Sequence, residues 1–207
     1  MTRAPTRSGI FVDLLAPDPS RILVRDISEG LAKINRWCGA SAAPFSVAQH
    51  SLAVADLMGK EDGPHAALYG LLHDAHEYVI GDVPEPARMA LGRLIGPALD
   101  DCLHVLRCGL DIAIHSALEL DWPRPRAIEL LLEACHARVV ATEIRDLHAD
   151  NFTAADFATD EMAVAEPLKT KLVPFVIWVK AEAAFRDALG KYHAQAGIRR
   201  TRAFMEE

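Results

Sequence analysis

Nothing in this chain approaches the ~20 consecutive apolar residues that a membrane-spanning helix needs. The first apolar run, FVDLL, is interrupted by Asp13 and is too short for the hydrophobic part of a secretion signal. A surplus of positive charge is also missing: Lys and Arg number 22 against 29 Asp and Glu, a net charge of −7. A surface that grips a nucleic-acid polymer is therefore not expected, and the single basic run, RRTR at 199–202, is expected to be a solvated tail. The four cysteines, Cys38, Cys102, Cys108 and Cys135, form no CxxC pair, which excludes a structural zinc ribbon and fits reduced thiols in the cytoplasm. Alternating β patterns, internal repeats and low-complexity tracts are absent as well. What remains is an expected cytoplasmic, single-domain, all-α protein of 207 residues, 51% of them hydrophobic, enough for one core.

Helical periodicity organises the chain. Ile27, Leu31 and Ile34, spaced i, i+4, i+7, predict an amphipathic helix over 26–37. CGASAAPF reads as a loop. Ser46 and Gln49 then read as a capping box opening a helix to about Met58, where Gly59 would end it. Pro64 suits the first turn of a further helix reaching Ile80 and closed by Gly81. After a turn at Pro84 and Pro86 and a break at Gly96-Pro97, helices are expected over about 98–118 and 125–147. The second should bury Ile128, Leu131, Leu132, Cys135, Val139 and Val140. The segment HADNFTAADFATDEMAVAEP reads as loop, and a last helix over about 174–196 begins near Pro174.

One ten-residue stretch stands out. HDAHEYVIGD, residues 73–82, sets two histidines, two aspartates and a glutamate directly after the apolar LYGLL. On a helix His73, Asp74 and Glu77 share a face, and Leu71 and Leu72 turn that face inward. Buried ions without partners are too costly to persist, so the group calls for a counter-cation. The neighbouring helix offers His50, and two imidazoles with a carboxylate suit a divalent transition metal. A hydrogen-bonded core histidine beside a solvated acidic helix end accounts for the same letters, and periodicity does not choose between the two.

The stretch resembles the signature of the HD superfamily of metal-dependent phosphohydrolases, and within it the bacterial 5′-deoxynucleotidases and related bacterial and phage HD hydrolases. The matching blocks fall in order: INRW at 34–37, FSVAQHS at 45–51, LLHDAHE at 71–77, GDVPEP at 81–86 and ATEIRDL at 141–147. The resemblance implies a single HD-type helical bundle over 1–207, with its motif-bearing core at about 26–148. It puts His50, His73 and Asp74 on metal-ligand positions, Glu77 and Asp82 on the acidic positions that assist attack by water, and Arg36 and Trp37 on positions that meet phosphate and sugar. It further implies one divalent ion (zinc, manganese or cobalt), a small-molecule substrate such as a deoxynucleoside 5′-phosphate, and a homodimer. A non-catalytic nucleotide-binding module and a hydrolase of non-nucleotide phosphate esters remain alternatives. So do plainer roles: Arg36 as a surface ion-pair partner, Trp37 as core, Asp82 as a turn residue.

The sequence departs from the family pattern at one ligand. The last, an Asp, should lie seven residues before Glu143, where this chain has His136. Asp146 lies ten residues along, about three turns away on a helix, and Glu133 is a weaker stand-in. His136 would make a three-histidine, one-aspartate site of more zinc-like character. Otherwise the fourth position is left to water, or the site is degenerate. His76 borders the pocket or covers the helix surface. His65, His104, His115, His148 and His193 receive no role.

Overall fold

Ile27 and Leu31 form the buried stripe of α1 (Val24–Lys33), shorter than the expected 26–37 because the chain turns extended at Ile34. The computed structural model describes residues 2–149, 152–157 and 165–205. Beyond α1, residues 34–36 pair with 45–47 instead of staying helical: Arg36 N–H donates to Phe45 O and Val47 N–H to Ile34 O, at 2.9 and 3.0 Å. This clasp sets the INRW segment against the start of the next helix.

That helix, α2 (Val47–Leu72), is two arms joined at Asp62 and Gly63, where φ reaches 79° at the glycine and Pro64 restarts the helix. The expected stop at Gly59 is therefore wrong by four residues. Gly59 stays helical because its missing side chain serves packing: a Cβ there would lie 3.1 Å from Ala67 Cβ on the other arm. Deeper in the hairpin, a Cβ on Gly70 would sit 2.7 Å from Met58 Sδ and 3.1 Å from Ala55 Cα. The arms thus run antiparallel, 59 beside 67 and 55 beside 70, a register that carries His50 towards His73. Gly70→Ala is expected to destabilise the fold by about 1–3 kcal/mol, since the Ala55 backbone cannot yield cheaply. Chemical denaturation checks it.

The capping box is only half made. Ser46 Oγ accepts both the Gln49 backbone amide and Gln49 Nε2, each at 3.4 Å, while the Gln49 side-chain oxygen accepts Phe175 N–H. Residues 173–177 stay outside any helix, so the last helix, α8 (Trp178–Gln195), starts four residues after the expected Pro174. The helix expected to reach Ile80 is also interrupted: residues 73–76 form a turn before the short α3 (Glu77–Ile80), which Gly81 ends at φ 79°.

α4 (Glu85–Ile95) and α5 (Ala98–Ala117) form a hairpin, and α6 (Arg126–Leu147) lies along α2. α8 crosses both α1 and α2, burying Ala181, Phe185 and Leu189 in the single hydrophobic cluster shared by these helices. Within α6, Ile128, Leu132, Cys135 and Val139 are buried, whereas Leu131 and Val140 are only partly so. A small antiparallel hairpin, β1 (Arg3–Pro5) with β2 (Phe11–Asp13), corrects the expectation of no strands. A short helix, α7 (Ala154–Phe157), lies inside the segment expected as loop, of which 150, 151 and 158–164 are outside the described residues. The fold is all-α in class, and among the described residues no helix is long and apolar enough to cross a membrane.

Candidate metal centre

Three elements supply four side chains. His50 stands one turn inside the capped start of α2, His73 and Asp74 follow its second arm, and His136 comes from α6. One ligand atom from each lies within 4.8 Å of the others. His50 Nε2 is 3.1 Å from His73 Nε2, while Asp74 Oδ2 is 3.0 Å from His73 Nε2 and 3.7 Å from His50 Nε2. The His136 ring lies edge-on to both imidazoles, with centroids 5.0 and 5.3 Å away. Tetrahedral ligands at roughly 2.0–2.2 Å from an ion are about 3.4 Å apart, so the spacing fits a metal ion. The chain therefore has a His/Asp group positioned to hold a metal.

The surroundings fix the two closest rings. His50 Nδ1 is 2.6 Å from Glu143 Oε1, and His73 Nδ1 is 2.8 Å from the Gly70 carbonyl. Acceptors on Nδ1 place the proton there and leave both Nε2 atoms free for a metal, the usual outer support of metal-binding histidines. Arg124 holds the turn from behind, donating to the His73 carbonyl at 3.4 Å.

Glu143 is the residue that reading the sequence missed, where it served only as a counting mark. Completely buried on α6, it also accepts Arg36 Nε at 2.9 Å and Trp37 Nε1 at 3.0 Å. One carboxylate thus ties a metal-site histidine to the INRW segment. The signal was present: seven residues from His136, Glu143 falls on the same helical face two turns on. Arg36 is an ion-pair partner, but a half-buried one, its side chain 12% exposed. Trp37 and Cys38 both take left-handed backbone, with φ 57° and 50°. Such conformations persist in non-glycine residues when their surroundings impose them. Here the clasp to Phe45, the bond to Glu143 and the bond from Ala42 N–H to Leu147 O (2.8 Å) do so.

Charge follows from this packing. Burial, then the neighbouring imidazoles of His50 and His73, pushes the His136 pKa down to about 3. Burial and the Arg36 charge lower that of His50 too. Burial works against ionised Asp74, yet His73 and His50 hold its pKa well below the usual range. His50 and His136 therefore rest as neutral imidazoles and Asp74 as a carboxylate, the forms that ligate metals. Burial also opposes the Glu143 charge, but Arg36 and His50 prevail and bring its pKa to about 2. Glu77 goes the other way. Burial, then the charges of Asp74 and Asp82, raises it to about 9, and Asp82 itself is raised by burial and by Asp74 despite Arg36. Glu77 and Asp82 thus share the field of the cluster rather than standing apart from it.

Of the remaining candidates, Glu133 and Asp146 are engaged with other partners, and His76 lies beside Asp74 and Glu77. Glu133 is exposed and 4.0 Å from Arg126, and Asp146 is paired with Arg145 at 2.8 Å. His76 is buried, its Nδ1 2.9 Å from Asp111 Oδ1, and does not cover a surface. His115 Nδ1 donates to the Asp111 carbonyl, and a His193 ring nitrogen to that of Leu118.

A protein of Rhodobacter capsulatus, itself named only as uncharacterized, is 43% identical over 135 residues, 61% of this chain and 68% of the relative. The chain belongs to that protein's family. No family model matches the chain.

His136→Ala measures the fourth position. A ligand's loss is expected to lower metal affinity sharply, whereas a bystander's would leave metal content unchanged. His136→Asp is expected to retain binding and shift preference towards manganese over zinc. Competition with a chromogenic chelator reads both.

Proposed function

We propose that the protein is a metal-dependent phosphohydrolase of the HD superfamily that acts on a nucleotide, best matched by a deoxynucleoside 5′-phosphate. The observation that carries this reading is the convergence of His50, His73, Asp74 and His136 on one point, with Arg36 joined to that point through Glu143. A divalent ion bound there supplies Lewis acidity towards a phosphoryl oxygen and makes water more acidic.

The chain's own groups do the rest. Arg36 commits only Nε to Glu143, which leaves its two Nη groups for a phosphate, held as a charge-assisted pair. Trp37, fixed in left-handed backbone and anchored through its indole N–H, gives the sugar a rigid wall. Glu77 and Asp82 position water and take its proton. In this role Glu77 has to be ionised, and positive charge at the neighbouring centre favours that form over the neutral acid. Two acidic groups beside the quartet are more than binding alone requires, which favours a hydrolase over a nucleotide-binding module.

A phosphate-release screen over nucleoside mono- and triphosphates and simple phosphate esters, with each candidate metal added, tests the reading. Release from deoxynucleoside monophosphates is expected. Tight nucleotide binding without release would turn the assignment to a binding module, and release from simple esters alone would remove the nucleotide. Arg36→Ala is expected to raise KM more than it lowers kcat. Loss of folding in that variant would mark Arg36 as structural.

A further inference from the structure

We propose that Arg107, on α5, is a second phosphate-binding residue, supplying the unpaired positive charge that a dianionic phosphate monoester meets beside Glu77 and Asp82. This role rests on reading the protein as a nucleotide phosphohydrolase, and it deepens that reading by naming a further group that grips the phosphate.

Its place follows from the face of α5 that it occupies. Arg107 stands one turn before Asp111, so the two side chains share a face. Asp111 Oδ1 meets His76 Nδ1 at 2.9 Å, which holds that face against the 73–76 turn, directly before Glu77. Arg107 is partly buried there, and its buried Nε has no hydrogen-bond partner. Asp111, the acidic residue closest to it in the chain, is already engaged with His76 and lies 4.0 Å from Arg124 Nη2. Among the described residues Arg107 forms no ion pair. A half-buried guanidinium with uncommitted donors is costly to the fold, and a bound oxyanion supplies the acceptors it lacks.

The charges nearby point the same way. Burial raises the pKa of both Glu77 and Asp82, and the charges of Arg36 and Arg107 oppose that rise in both, so the two cations face one pair of carboxyls. They are not equivalent. Arg36 Nε sits 2.9 Å from the Glu143 carboxylate, and the pair is electrically neutral. Arg107 keeps its whole charge. A phosphate with two negative charges, brought beside Asp74, Glu77 and Asp82, needs a cation that no carboxylate has cancelled. A guanidinium meets such an oxyanion with two parallel donors, which an ammonium group does not offer.

The test is calorimetric titration of inorganic phosphate into full-length protein equilibrated with manganese, beside thermal melting with and without phosphate. Phosphate affinity is expected to fall about 10–100-fold in Arg107→Ala, the size of effect that one charge-assisted contact gives. Arg107→Lys keeps the charge but not the fork and should recover part of that loss. Without phosphate, Arg107→Ala should melt no lower than the wild type, because an unpaired guanidinium does not support the fold. The rise in melting temperature that phosphate gives the wild type should shrink in the variant. If Arg107→Ala does not fold, Arg107→Gln removes the charge while keeping most of the stem, and the same results are expected of it. Equal phosphate affinity in wild type and variants would overturn the role of Arg107 and leave the hydrolase reading intact. Markedly lower melting of both the Ala and Gln variants without phosphate would mark the residue as structural and overturn the role too. So would a wild type that binds no phosphate, and the phosphate-release screen would then decide separately on hydrolysis.

Discussion

Glu77→Gln is expected to lower phosphate release by roughly 10²–10⁴-fold, the usual worth of a positioned general base, and to make the metal-free protein more stable. Both effects have one origin. Burial and the charges of Asp74 and Asp82 raise the Glu77 pKa from 4.5 to about 9, with Arg36 and Arg107 opposing only in part. A carboxyl whose pKa is higher in the folded state favours folding while protonated. Its contribution is complete below about pH 4.5 and is lost as pH rises towards 9. Near pH 7 the cost of keeping it protonated is on the order of 3 kcal/mol, which glutamine avoids. For a chain of this size the variant should melt roughly 5–10 °C higher at that pH. The comparison is thermal melting of chelated protein at pH 5 and pH 8. The two proteins should melt close together at pH 5 and diverge at pH 8. Parallel melting curves would remove the raised pKa from the account, and unchanged turnover would pass the base role to Asp82.

Glu143→Ala should be the most damaging single substitution away from the ligands themselves. It removes at once the acceptor of His50 Nδ1, Arg36 Nε and Trp37 Nε1. A largely buried guanidinium left without its carboxylate typically costs about 3–5 kcal/mol. His50 would also lose the bond that sets its tautomer, which should weaken metal affinity by about 10–100-fold. Glu143→Gln separates the two consequences. The amide can still accept one hydrogen bond, so the fold should recover more than the metal affinity does. Because the Glu143 pKa is depressed to about 2, its ionic contribution is present above about pH 4.5 and disappears as pH falls towards 2. The stability gap between wild type and Glu143→Gln should narrow over that window. A metal affinity unaltered in both variants would show that Glu143 does not orient His50.

The ranges of α5 and α6 could be read in the sequence because their apolar periodicity is long and their borders carry Pro and Gly. The hairpin in α2 could not. Gly59 and Gly63 look alike as letters, and only packing assigns one to close approach and the other to the φ 79° bend. The same bend brings His50 to His73, so proximity inferred from neighbouring helices lacked the register behind it. His73, Asp74 and Glu77 were expected on one helical face, yet 73–76 form a turn, and their meeting depends on that turn rather than on helical spacing. Arg36 and Trp37 stood out as a pair, but their left-handed backbone and shared bond to Glu143 depend on contacts over a hundred residues apart in the chain. The β1–β2 hairpin escaped notice because three-residue strands are too short for alternation to register.

The central claim, that the quartet holds the ion on which hydrolysis depends, is tested most directly by phosphate release from a deoxynucleoside 5′-monophosphate before and after metal removal. Chelator-stripped protein should release no phosphate, and stoichiometric return of manganese, cobalt or zinc should restore it in the wild type but not in His73→Ala or Asp74→Ala. Turnover that survives both chelation and those substitutions would contradict the account.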